Sequence, residues 1–170
     1  MVIAILSYQA KKQRTFAGVQ LVSTTLFAVS FLLLGAITGA LLNFIAAVRA
    51  LIYYNKQKLH ADKPIWLACF IAAYLGAYAL TFTVFAKEPT PINFIIEILP
   101  VIGMVASHLA LYMKEDKAVR RFSLISSPVW LVYNIISWSI GAVLCESFSI
   151  VSIIIGIIRH DIDKGDKKQA

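Results

Sequence analysis

The 170-residue sequence is poor in charged residues and in the motifs of catalysis. Asp, Glu, Lys and Arg make up 15% of it, against about 25% in soluble globular domains. Its two cysteines, Cys69 and Cys145, have no CxxC pattern and no neighbouring histidine, so neither a disulfide nor a metal site is predicted. The sequence has no HExxH, no GxSxG and no phosphate-binding loop. We therefore expect no enzymatic activity, no cofactor and no metal.

What the sequence has in abundance is apolar residues, which make up 59% of it. They lie in runs of roughly 17–25 residues, the length that a helix needs to cross a hydrocarbon core of about 30 Å. The predicted fold class is an all-α membrane protein with about seven transmembrane helices. The predicted spans are 16–34, 38–54, 65–86, 92–113, 122–137 and 140–159. The apolar segment 1–8 is too short to span alone, and we expect it to be part of a truncated first helix.

Lysine and arginine alternate between the two ends of the predicted helices. The breaks at 11–14, 56–63 and 114–121 and the tail 160–170 are basic, whereas those at Gly35, 87–91 and Trp138 carry a single lysine. Because cytoplasmic loops carry an excess of Lys and Arg, we predict that the C-terminus is cytoplasmic and the N-terminus outside. The formal net charge of +7 then reflects contact with anionic lipid and does not indicate nucleic acid as a partner.

The order of the breaks repeats along the chain. Residues 1–54 and 92–159 share one order of apolar runs, basic loop and tight turn, with the helix 65–86 between them and a tail at 160–170. Gly39-Ala40 and Gly141-Ala142 match at an offset of 102. Since a single helix separates the halves, both insert in the same direction. We therefore predict two parallel three-helix bundles joined by a linker helix.

Several segments resemble a known family. They are 126–134, 139–142 with Glu146, 97–103 and 32–36. These segments are similar to YgjV, a family of bacterial inner-membrane proteins without an established function, and the resemblance covers nearly the whole chain. The order of helices is more distantly similar to that of the SWEET sugar transporters and the PnuC vitamin transporters. That likeness implies a carrier or facilitator of a small polar solute.

Few ionisable or strongly polar residues lie within the predicted spans, where each is costly enough to suggest a function. Four of them fall in one layer near the outer ends of the helices, and two aromatic residues nearby could stack on a flat or sugar-like ligand. The predicted solute-binding residues are Asn43, Glu97, Trp130, Tyr133, Asn134 and Glu146. The polar residues could instead cross-link helices. The alternative function is therefore a non-transporting scaffold or receptor-like protein, and the solute and the oligomeric state stay open.

Four further residues in the spans have alternative roles. Arg49 is expected to reach the lipid headgroups or to form an ion pair with a carboxylate of a neighbouring helix. His108 is expected to be a hydrogen-bonded packing residue or a proton relay. Pro100 and Pro128 are expected to kink their helices and are candidate hinges.

The alternation of charge makes a testable prediction about topology. In a Cys69→Ser, Cys145→Ser background, single cysteines replacing Lys58 and Arg120 are expected to react with an impermeant maleimide from the cytoplasmic face only. A cysteine replacing Lys87 is expected to react from the outer face only, since the basic breaks lie on one side of the membrane. Labelling of Lys58 and Arg120 positions on opposite faces would contradict the predicted topology.

Overall fold

A computed structural model of the protein describes residues 13–61, 63–112 and 116–158. These residues form seven helices: α1 Gln13–Leu33, α2 Ile37–Tyr54, α3 Lys56–Leu59, α4 Pro64–Thr83, α5 Pro91–Tyr112, α6 Asp116–Ile136 and α7 Ile140–Ile157. Within the described ranges there is no strand, so the predicted all-α fold class is confirmed. The apolar segment 1–8 and the tail 160–170 lie outside the described residues.

Four helices are long and apolar enough to cross a membrane. They are α2, α4, the stretch Pro91–Ala110 of α5, and α7. In α1 a shorter apolar helical stretch is found at Gln20–Leu33, and the first two turns of α6 carry lysine and arginine. The predicted number of seven spans therefore stays a prediction.

The predicted loop at 114–121 is wrong from residue 116 onward, because α6 begins at Asp116. The sequence there is rich in Lys, Arg and Ala, which are good helix formers. It contains no proline that would stop a helix. Charge marked the end of an apolar run, but it did not mark the end of the helix. The break at 56–63 likewise contains a short helix, α3.

The distribution of side chains is the reverse of that in a soluble protein. Glu97, His108 and Asn134 are each at most 2% exposed. Large apolar side chains cover the outside, among them Leu33, Phe44, Ile92, Ile95, Ile140 and Phe148. A surface of this kind is stable against lipid and not against water. The burial pattern thus agrees with the membrane part of the fold-class prediction.

The helices pack as an antiparallel chain of neighbours. The most extensive contacts are between α1 and α2, α5 and α6, and α6 and α7, while α4 packs on α2 and α5, and α2 also touches α5. The segments 34–36, 84–90 and 137–139 come together at one end of the bundle, which we call the turn end. The opposite end, at 55–61 and at the start of α6, is called the basic end. The arrangement into two separate bundles with the boundaries predicted from the sequence stays a prediction.

The α1–α2 turn and the α6–α7 turn have the same backbone structure. Gly35 has φ +70° and Trp138 has φ +55°, and the following residues, Ala36 and Ser139, have ψ of 73° and 76°. The backbone hydrogen bonds also correspond one by one. In the first turn the N–H groups of residues 34, 35, 36, 37 and 40 donate to the carbonyls of 30, 32, 31, 35 and 36, respectively. In the second turn the N–H groups of residues 137, 138, 139, 140 and 143 donate to the carbonyls of 133, 135, 134, 138 and 139.

These hydrogen bonds fix the register of the internal repeat at an offset of 103, since 137 − 34 = 103. The register of 102 predicted from the Gly-Ala pairs is wrong by one residue. The identity of Gly39-Ala40 with Gly141-Ala142 involves two common residues only. The hydrogen bonds of the two turns, in contrast, can be superimposed in one register. In the corrected register Asn43 is the equivalent of Glu146, since 146 − 43 = 103.

Helices α5 and α6 approach each other closely at Gly103. A methyl group added there would lie 2.6 Å from Trp130 Cδ1 and 2.7 Å from its Nε1, which is closer than packed atoms can come. Ser126 Oγ donates a hydrogen bond of 2.8 Å to the Gly103 carbonyl at the same crossing. The absence of a side chain at Gly103 therefore lets the Trp130 ring pack directly against α5.

Gly103→Ala is expected to lower the free energy of unfolding by about 1–3 kcal/mol, because the new methyl group displaces the Trp130 ring. The measurement is thermal unfolding of the purified protein in detergent. The matched control is Gly76→Ala in α4, where an added methyl group meets no atom within 4 Å. That variant is expected to be neutral or stabilised by up to about 1 kcal/mol, because Ala is the better helix former. Equal effects of the two substitutions would contradict the predicted clash.

Candidate solute-binding cavity

A cavity of about 250 Å³ lies between α1, α2, α5, α6 and α7. It has room for about eight water molecules at about 30 Å³ each. Its lining on α1 extends from Gln20 to Phe31, and on α6 from Ser123 to Asn134, which is about 16 Å along each helix axis. The cavity therefore extends along the helix axes and ends near the turn end.

The internal repeat organises the lining of this cavity. Fourteen of the twenty lining residues form seven pairs at the offset of 103: Gln20 with Ser123, Ser23 with Ser126, Thr24 with Ser127, Phe27 with Trp130, Phe31 with Asn134, Asn43 with Glu146, and Ala46 with Ser149. Equivalent residues of two repeats can face one space only if the space lies on the axis that relates them. The cavity thus sits between the repeated helix pairs α1–α2 and α6–α7.

Hydroxyl and amide groups dominate the polar part of the lining, and most of them have partners in the protein. Asn43 Nδ2 donates to the Gly39 carbonyl at 2.9 Å, and Ser126 shares a hydrogen bond of 2.6 Å with Ser107. Ser23 Oγ and Asn134 Oδ1 are buried without a hydrogen-bond partner. Buried polar atoms are rarely left unpaired, so these two atoms mark places where a bound molecule would add a hydrogen bond.

Two ionisable side chains also line the cavity, Arg49 on α2 and Glu146 on α7. Arg49 is 4% exposed, and its Nη1 donates to the Tyr74 hydroxyl at 3.1 Å. Glu146 is half-buried, with the Ser127 hydroxyl within hydrogen-bonding reach. No ion pair joins Arg49 to Glu146 among the described residues. The ion pair proposed for Arg49 is therefore not seen with this carboxylate, and the guanidinium points into the bundle, away from the headgroups.

Three aromatic rings close the cavity toward the turn end. The ring centroids of Phe31 and Trp130 are 6.2 Å apart, those of Phe31 and Tyr133 are 5.9 Å apart, and those of Trp130 and Tyr133 are 6.0 Å apart. The Gly39 N–H, in the first turn of α2, donates to the Tyr133 hydroxyl at 3.0 Å. The first N–H groups of a helix have no partner within it, so Tyr133 caps α2 from the neighbouring helix α6.

A polar chain continues from Tyr133 to the surface of the turn end. The Tyr133 hydroxyl donates to Glu97 Oε2 at 3.4 Å, and the Lys87 ammonium forms an ion pair with the other oxygen of that carboxylate. Glu97 is 2% exposed, so its charge is balanced by Lys87 inside the protein. This chain connects α2, α6, α5 and the segment 84–90 in one network.

A second buried network lies nearer the basic end. Tyr74 Oη is 3.4 Å from His108 Nδ1, and Tyr53 Oη is 3.3 Å from His108 Nε2. Because the Tyr74 oxygen accepts from Arg49, the Tyr74 proton is free to reach Nδ1. The imidazole then carries its own proton on Nε2 and donates to Tyr53. The hydrogen bonds of His108 fit the packing role predicted for it.

The structure brings together four of the six predicted solute-binding residues. Asn43, Trp130, Asn134 and Glu146 line the cavity. Glu97 and Tyr133 are not in the lining and belong to the network at the turn end. The four-residue polar layer that includes Glu97 is therefore corrected to three residues. Sequence depth alone could not tell which face of α5 Glu97 occupies.

Sequence reasoning missed most of the lining, including the polar and aromatic residues Gln20, Ser23, Thr24, Phe27, Phe31, Ser107, Ser123, Ser126, Ser127 and Ser149. On both α1 and α6 the lining residues follow the spacing i, i+3, i+4, i+7 and i+11, which is one face of a helix. The same polar and aromatic pattern at an offset of 103 was the signal that could have found them. Pro100 and Pro128 lie inside continuous helices α5 and α6, and their role as hinges stays a prediction.

Known proteins resemble this chain over most of its length. The family model Imp-YgjV, described as a bacterial inner membrane protein, matches residues 1–164. The inner membrane protein YgjV of Escherichia coli (strain K12) is 26% identical over 157 residues, which are 92% of this chain and 78% of that protein. No solved structure matches the chain.

Tyr133→Phe is expected to lower the free energy of unfolding by about 0.5–1.5 kcal/mol for each hydrogen bond lost, because the Gly39 N–H and one Glu97 oxygen then lose the hydroxyl. Thermal unfolding in detergent measures the change. The matched control is Tyr112→Phe, at the last residue of α5 and therefore at the opposite end of the bundle from the Gly39–Tyr133 contact. A loss of stability in the control equal to that in Tyr133→Phe would contradict the capping role.

Proposed function

Because this chain belongs to the Imp-YgjV family of bacterial inner membrane proteins, we propose that it spans the inner membrane several times and carries a small polar solute across it. The family resemblance and the bacterial inner membrane as location are thereby confirmed. The transport of a solute is the step beyond them. The proposed role is one of binding and passage, without enzymatic chemistry.

The observation that supports transport is the polar cavity on the axis between the two repeated helix pairs. In transporters built from repeats, the substrate site lies near the bilayer midplane at the interface of the repeats. Two lining atoms, Ser23 Oγ and Asn134 Oδ1, have no partner in the protein. Lipid offers such atoms no hydrogen bond in a bilayer core, so their placement around an open space favours a polar molecule bound there.

The lining also limits the kind of solute. A cavity of about 250 Å³ is slightly smaller than the sites of drug-sized ligands, which occupy about 300–1,000 Å³. Serine and threonine hydroxyls with three side-chain amides favour a ligand with several hydrogen-bonding groups. Phe27 and Trp130 occupy equivalent places in the two repeats and could pack on both sides of its apolar part. The proposed solute is therefore a single small metabolite and not a polymer.

The contacts at the turn end suggest how passage would be controlled. Following the charge alternation, we place the turn end at the outer face of the membrane. Phe31, Trp130 and Tyr133 then separate the cavity from the outside, and the Gly39–Tyr133 hydrogen bond ties α2 to α6. Entry from outside would require these contacts to open, by a movement of one repeat against the other.

The scaffold alternative has its own support in the internal pairing of Glu97 with Lys87 and of Arg49 with Tyr74. A scaffold would also be expected to pair Glu146 with Asn43 or Arg49 inside a closed core. Neither hydrogen bond is present in the part of the chain that the structure describes, and Glu146 faces the cavity. The transport proposal is therefore the better supported of the two.

Two serines on α7 give a matched pair for testing transport. Ser149 lines the cavity, and Ser147 lies on the exposed face. Each hydroxyl bonds the carbonyl four residues earlier, at 2.9 Å and 2.8 Å. Ser149→Phe is expected to fill the cavity and to abolish uptake of a solute that the wild type transports. Ser147→Phe adds the same ring toward lipid and is expected to leave uptake unchanged.

The measurement is uptake into proteoliposomes of the wild-type protein across a panel of small radiolabelled metabolites, followed by the two variants on each solute that enters. Both variants are first shown to unfold at the temperature of the wild type. Absence of uptake of every solute by the wild type, or full uptake by a stable Ser149→Phe variant, would count against the proposed route through the cavity.

A further inference from the structure

Arg49 is a fixed positive charge placed inside the bundle. Its side chain is 4% exposed and lines the cavity. Arginine has five N–H donors and does not lose its proton in proteins. One donor is used by the Tyr74 hydroxyl. Among the described residues no other acceptor for the guanidinium is found, so the remaining donors are available to the cavity.

The carboxylates whose side chains are described do not neutralise this charge. Glu97 is paired with Lys87 at the turn end, and Glu88 lies exposed in the segment 84–90. Glu146 lines the cavity but forms no ion pair with Arg49. The repeat places Glu146 at the level of Asn43, six residues from Arg49 on α2 and therefore about 9 Å away along the helix axis.

Arg49 has no charged equivalent in the second repeat. At the offset of 103 its equivalent is Ser152 on α7, which follows the same kind of turn. Ser152 is exposed, whereas Arg49 is buried, so this charge faces the cavity from one repeat only. A buried charge without a charged partner is destabilising, and within a membrane such residues mark substrate or ion pathways. A positive charge contributed by one repeat and not by the other would suit a solute with one anionic end.

We infer that Arg49 binds an anionic oxygen group, a carboxylate or a phosphate, at one end of the solute in the cavity. This inference rests on the proposed function and adds the chemical class of the solute. The planar guanidinium can donate two parallel hydrogen bonds to such a group. Asn134, whose Oδ1 lacks a partner, lies near the turn end of the cavity and then faces the hydrogen-bonding groups at the other end of the solute.

Tyr74 and His108 are positioning residues in this arrangement. Tyr74 holds one arm of the guanidinium, and His108, 3.4 Å from Tyr74 Oη, fixes the tyrosine in turn. Both side chains are fully buried, which limits the rotation of Arg49. A guanidinium held in this way loses little freedom when an anion binds.

The test is the thermal stability of the full-length protein in detergent during titration with lactate, with its uncharged analogue lactamide, and with inorganic phosphate. A ligand that binds the folded state raises the unfolding temperature in proportion to its occupancy. Lactate or phosphate is expected to stabilise the wild type more than lactamide does. Arg49→Gln is expected to weaken anion binding about tenfold or more, because a charge-assisted hydrogen bond is lost.

Two further variants separate charge from geometry. Arg49→Lys keeps the charge without the planar fork and is expected to bind the anion with intermediate affinity. Arg121→Gln removes a positive charge from an exposed position on α6 and is expected to bind as the wild type does. If Arg49→Gln does not fold, the comparison of Arg49→Lys with Arg121→Gln decides the question.

Each outcome bears on the inference. Stabilisation by phosphate and not by lactate assigns a phosphate group, and the reverse assigns a carboxylate. Equal stabilisation by lactamide and lactate, equal anion binding by wild type and a folded Arg49→Gln variant, or no stabilisation by any probe would overturn it. Uptake of neutral solutes that is blocked by Ser149→Phe would in that case leave the proposed transport standing without the anion site.

Discussion

A polar group in a hydrocarbon layer must find its partner inside the protein, because lipid offers none. The buried hydrogen bonds follow from this constraint. The hydroxyls of Thr38 and Thr81 form a hydrogen bond of 2.7 Å between α2 and α4. The chain from Arg49 through Tyr74 and His108 to Tyr53 joins α2, α4 and α5. Apolar side chains, free to face lipid, need no such specificity. Polar pairs therefore decide which helices are neighbours.

The same need for internal partners gives significance to the two buried oxygens that have none. Ser23 and Asn134 keep unpaired oxygens at the edge of a space that is lined by both repeats. An unpaired buried oxygen costs about 1–3 kcal/mol, which a marginally stable protein does not carry without compensation. The cavity, its unpaired oxygens and the one-sided charge of Arg49 form a single feature when a polar solute with one anionic end occupies it.

The backbones of the two repeats are alike, whereas several of the side chains that they place in the cavity differ. The two tight turns share their backbone hydrogen bonds, and equivalent faces of α1 and α6 line the cavity. The two repeats differ in the chemistry of equivalent side chains. The amide of Asn43 is equivalent to the carboxylate of Glu146, and the ring of Phe31 is equivalent to the amide of Asn134. Arg49 has no charged equivalent. Close approach at Gly39 and Gly103 lets the large rings of Tyr133 and Trp130 close one end of this site.

The sequence by itself determined the helical fold class, the membrane environment and the positions of the tight turns, because the length of apolar runs and the placement of lysine are local properties. Of the six residues predicted to bind a solute, Asn43, Trp130, Asn134 and Glu146 line one cavity, and their role in binding stays a prediction. The tertiary structure alone decided that Glu97 faces Lys87 and not the cavity, that α6 extends back to Asp116, and that the repeat offset is 103. Which face a helix turns inward depends on its neighbours, and a hydrophobic run of uniform composition does not record it.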